Sequence, residues 1–91
     1  MKKEVGDILT IKGKECAVID AILYEGKDYI LVNVYENDEP TEKLIAYETT
    51  NNNTVIEVKE QKILDRILPI FSKNVQRVIN TIQAKEKFDI N

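Results

Sequence analysis

Few side chains in this 91-residue chain are equipped for chemistry, and histidine is absent altogether. Without it the chain lacks the commonest general base near neutral pH and the commonest metal ligand. Cys16 is the single thiol, which excludes an internal disulfide and leaves zinc one sulfur and no imidazole. Lys14 and Glu15 precede it and no base stands by to activate it, so burial as a small hydrophobe is expected. Glu36, Asp38, Glu39 and Glu42 gather around Pro40. A calcium loop would need a central glycine and a terminal bidentate glutamate in fixed order; that order is missing, and a solvated acidic loop is the simpler reading. Gly6, Gly13 and Gly26 lie too far apart to cradle a phosphate. The expectation is a protein that is not an enzyme, with no catalytic, cofactor-binding or metal-binding residue and no cofactor.

Charge is distributed more suggestively. Residues 1–58 carry 6 Lys against 12 Asp and Glu, whereas residues 59–87 carry 7 Lys and Arg against 3 Asp and Glu. The total of −3 therefore conceals an acidic front and a basic rear. Lys59, Lys62, Arg66, Lys73 and Arg77 recur at helical spacing and would form a ridge about 27 Å long on one face. Such a ridge suits an acidic partner or nucleic-acid phosphates. A plain solvated face is the competing reading, since lysine is a good helix former. Tyr24, Tyr29, Tyr35 and Tyr47 fall in strand-like segments, where sheet packing accounts for them.

The elements that must position these residues change type near Val58. Before it, short β-branched and aromatic runs at 8–11, 15–24, 29–35, 44–49 and 54–58 alternate with turn residues. Lys12-Gly13 and Glu25-Gly26 supply the positive φ of tight hairpins. Residues 36–40 read as a polar loop, because proline withholds the donor that a central strand needs. After Val58, Ile63, Leu64, Ile67, Leu68, Phe71, Val75, Val78, Ile79 and Ile82 fall on one apolar stripe of a helix, with Ile70 departing from it. Pro69 projects opposite that stripe, where water can satisfy the carbonyl its ring frees. This favours one Pro-kinked helix over two shorter ones broken between 69 and 74.

The expected fold is a single α+β domain over residues 1–91. A curled antiparallel meander of about five strands, SH3-like or a half-barrel, occupies 1–58. One long C-terminal helix follows over 59–87, and 88–91 form a frayed tail. A helix of this length, roughly 39 Å, outruns a compact domain of about 30 Å. Val75, Val78, Ile79 and Ile82 are therefore the expected contact of a homodimer. No apolar run reaches the roughly 20 residues of a membrane span. The opening residues 1–7 have no apolar stretch after their lysines, so no secretory signal and a cytoplasmic location are expected.

The stretch Ile22-Leu23-Tyr24-Glu25-Gly26-Lys27-Asp28-Tyr29-Ile30-Leu31-Val32, the acidic segment 36–42 and the helix 60–71 occur in an order that resembles the YrzB-like family of small bacterial proteins of unknown function. The resemblance covers about two-thirds of the chain and rests on turn and packing residues. Glu25 stands where that family's turn favours Asn, the late chain has fewer acidic residues, and the helix is longer and more basic. What the resemblance implies is a cytoplasmic bacterial protein, of the kind found on mobile elements or phage, with no catalytic site to carry over.

Together these readings point to a non-enzymatic protein-interaction module whose partner and process are open. A nucleic-acid-associated regulator using the basic helix face is the alternative, and a small carboxylate-and-tyrosine enzyme is a distant third.

Overall fold

A computed structural model describes residues 3–52 and 54–89, with side chains through Arg77. Five strands are followed by one helix: β1 (Ile8–Ile11), β2 (Lys14–Tyr24), β3 (Lys27–Glu36), β4 (Glu39–Thr49), β5 (Val55–Glu57) and α1 (Gln61–Asp89). The strands pair antiparallel in chain order as one curled half-barrel sheet.

Three of the four connections are two-residue turns with both residues at positive φ. Lys12-Gly13 takes 52° and 79°, Glu25-Gly26 takes 50° and 78°, and Asn37-Asp38 takes 52° and 64°. That geometry matches the right-handed twist of the flanking strands. The third turn corrects the expected loop at 36–40: β3 runs to Glu36 and β4 begins at Glu39. Asn and Asp tolerate the left-handed region without glycine. Pro40 opposes Tyr35, one step beyond the bonded pair Glu36 and Glu39 that flanks the turn. In that position its missing donor faces the open edge of β4 and costs β3 nothing.

β3 is buried on both faces. Ile30, Val32 and Val34 pack inside the curl with Cys16, Val18 and Tyr47, while Leu9, Ile11, Ile45 and Val55 close around them. Tyr29 and Leu31 point the other way, toward Ala46, Ile67 and Phe71. β2 serves both layers by alternation, and a bulge between Val18 and Asp20 shifts that alternation by one residue. Val18 points into the curl, and the extra residue Ile19 joins the helix layer.

The ladder passes directly into α1. Val58 N–H donates to the Ala46 carbonyl at 3.0 Å, and the Glu60 carbonyl accepts from Ile63 and Leu64, both at 3.1 Å. Gln61 Nε2 then donates to Asp65 Oδ1 at 2.7 Å, one turn on. Pro69 lies inside the helix and is exposed. Ile67 and Phe71 are 0% and 1% exposed, whereas Leu68 is 43% exposed and Ile70 is half-buried. The apolar stripe is thus rotated from the expected one. Asn74 Nδ2 donates to Asp20 Oδ2 at 2.9 Å, which ties that face of the helix to β2, while Leu68 lies off the sheet. Expected stripe positions Val78, Ile79 and Ile82 have side chains outside the described residues, as do Ile90 and Asn91 of the expected tail.

Truncating the two plugs is expected to cost about 3–5 kcal/mol for Phe71→Ala and about 2–5 kcal/mol for Ile67→Ala. Leu68→Ala should cost about 1 kcal/mol or less, because much of its side chain is already wet. Urea denaturation in dilute solution checks this. A loss at Leu68 equal to that at Phe71 would contradict the roll of the helix.

Candidate interaction surface

Each expected basic residue is exposed. Lys59 lies just before α1, and Lys62, Arg66, Lys73 and Arg77 project from it. The ridge divides into two basins. In the first, of about 310 Å³, Lys62 and Arg66 meet Lys27 at the start of β3, with Tyr24, Tyr29 and Glu25 completing the wall. Lys27 Nζ also stands 3.9 Å from Glu48 Oε1. Lys27 was not part of the sequence-based set, because only the hairpin brings it beside the helix. In the second basin, Lys73 and Arg77 surround Pro69 with Ser72 and Gln76.

A third surface is apolar. Where the helix lifts from β4, a groove of about 350 Å³ opens between Leu31 and Leu44 on the sheet and Leu68, Phe71 and Val75 on the helix. Leu44 is 53% exposed, so two large leucines stand half in water on opposite walls. Ser72 and Gln76 border both this groove and the second basic basin, which makes the two surfaces continuous. Val75 is half-buried here, and it is the one expected dimer residue among those whose side chains are described. No sequence signal separates Leu44 or Leu68 from true core leucines, since both fit the apolar periodicity of their elements.

The acidic cluster lies at the tip of the third hairpin. Lys14 bridges to Glu36 across a cleft between the first and third hairpins. That ammonium, by hydrogen bond and charge, holds the Glu36 carboxyl below the usual carboxylate range. Asp38 is a turn residue, and Glu39 and Glu42 are exposed on β4. Among the described residues no group of three or more Cys, Asp or Glu is placed to hold a metal ion. Nor is any described helix long and apolar enough to cross a membrane.

Cys16 is 2% exposed in the curl, with Sγ 3.7 Å from the Lys14 carbonyl. Burial raises its pKa, so the thiolate is suppressed at neutral pH. Burial also raises Tyr29 and Tyr47; the Glu48 carboxylate adds to the effect at Tyr29, and Cys16 adds to it at Tyr47. Comparison with protein-family models, curated proteins and solved structures finds no match to this chain.

The raised acids set an alkaline limit. A folded chain that keeps protons the unfolded chain surrenders has full stability below the unfolded pKa values and loses it as pH rises through them. The melting temperature is therefore expected to hold near neutrality and fall above about pH 9, and Cys16 should resist alkylation until the chain unfolds. A flat melting temperature to pH 11, or rapid labelling of the native thiol, would contradict this burial.

Proposed function

We propose that this chain is a small non-enzymatic protein-interaction module that docks protein through the groove between α1 and β4. The observation that carries this reading is the pair of leucines, Leu44 and Leu68, facing each other half-solvated across an apolar furrow. Scattered exposed leucines need no explanation, but a furrow with an apolar floor and a polar rim is the pattern of a contact surface. In this reading α1 is a long helix bent at Pro69 and the protein works in the cytoplasm, where its single thiol stays reduced.

A nucleic-acid-associated regulator is the second reading, favoured by the convergence of Lys27, Lys62 and Arg66 beside Tyr24. Tyr29 in the same basin is 3% exposed, which withholds its ring from base stacking. The acidic front half, with a net charge of −6 over residues 1–58, would repel phosphates close to that basin.

The test uses the wild-type chain and a Leu44→Lys/Leu68→Lys variant as baits in extract of the native cell, with and without nuclease treatment. Both substituted positions are exposed, so the variant should keep its melting temperature. The expected result is protein, which includes further copies of the chain, retained by wild type and lost by the variant. Equal retention by both overturns the groove reading. Retention that disappears with nuclease and shifts oligonucleotides at low salt establishes the second reading in its place.

A further inference from the structure

Resting on the groove reading above, we infer that the groove's occupant is the same groove on a second copy of this chain, in a two-fold symmetric dimer. Self-docking requires a patch whose halves complement each other when one copy is turned onto the other. The groove has that form. Its helix wall is backed by Lys73 and Arg77, which share Ser72 and Gln76 with it. Its strand wall continues from Leu44 along β4 to Glu42 and Glu39, both exposed, against one lysine, Lys43. A two-fold axis through the groove sets each helix wall over the partner's strand wall. Leucine then meets leucine at the centre, and a basic flank meets an acidic flank at both rims.

A translated head-to-tail arrangement would expose one flank of each kind and leave an open filament. The two-fold arrangement matches all four flanks and closes. Leu44 at 53% and Leu68 at 43% exposure are apolar surface that one copy leaves uncovered, and a second copy seated on the groove would bury both. The open edge of β4 does not compete for this role. Pro40 and the bulge between Asn33 and Tyr35 break the ladder there, and Asn33 Nδ2 donates to the Thr41 carbonyl at 2.7 Å inside the bulge. Pairing is therefore side chain to side chain through the groove, without extension of the sheet.

Sedimentation equilibrium of the purified chain from about 1 μM to about 1 mM tests the inference across the usual range of weak to firm association. The expected species has twice the 10.5 kDa chain mass. Leu68→Lys and Leu44→Lys should each return it to one chain with the melting temperature of the dilute wild type. Glu42→Lys and Lys73→Glu should each weaken association about five-fold, and the double variant should recover it, as a swapped rim pair between copies requires. A single-chain mass at the highest concentration overturns the inference. So does a dimer indifferent to both leucine substitutions, or a double variant weaker than either single one. If the purified chain stays single while bait capture still depends on Leu44 and Leu68, self-docking fails and the groove reading stands.

Discussion

The whole structure depends on β3 being buried on both sides. A central strand of an isolated five-stranded antiparallel sheet has two faces to hide, and a chain this short can build few layers. Here the sheet hides one face by curling, so that β1 and β5 bring Leu9, Ile11 and Val55 around Ile30, Val32 and Val34. The other face, Tyr29 and Leu31, is left for Ile67 and Phe71 of α1. Neither solution suffices alone: without the curl one face would be wet, and without the helix the other would be. The bulge at Ile19 shifts the alternation of β2, so that Ile19 and Asp20 both face the helix while Val18 and Ala21 face the curl.

Much of this was legible in the sequence because its signals are local. Alternation marked the strands, and glycine marked two of the three tight turns at Gly13 and Gly26. The turn at Asn37-Asp38 was hidden by Pro40, whose usual meaning is the end of a strand. That inference fails when the proline nitrogen points away from the neighbouring strand, and only the register reveals which way it points. The period of α1 was equally plain, but the period fixes a stripe only to within the width of several residues. The part of the stripe that turns inward is set by long-range packing of Ile67 and Phe71 on β3 and β4, joined by a bond between Asn74 and Asp20, 54 residues apart. No local pattern carries that information.

The candidate surface was less legible for the same reason. Exposed lysines on a helix can be located from spacing alone, and Lys62, Arg66, Lys73 and Arg77 are where spacing placed them. Spacing could not show that Lys27 joins the first two, nor that Leu44 and Leu68 face one another across open space. Hydrophobic pattern identifies residues that prefer burial. Whether they achieve it within one copy of the chain is a property of how layers fit, and layers are assembled from distant parts.

The groove is a consequence of how the helix is held, which ties surface to fold. A polar bond at Asn74 ties α1 to β2, on one side of the sheet's midline, while Ile67 and Phe71 seat over Leu31 and Ala46. The helix covers β4 at Ala46 but not at Leu44, and the space beside Leu44 is lined by Leu31, Leu68, Phe71 and Val75. Asp20 to Asn74 is thus more than a tether. Replacing that polar pair with aliphatics would permit the helix to slide toward β4, burying Leu44 and Leu68 and erasing the furrow between them. Retaining a polar bond at the edge of an otherwise apolar layer makes sense if the off-centre helix, and the surface it opens, is what the fold is for.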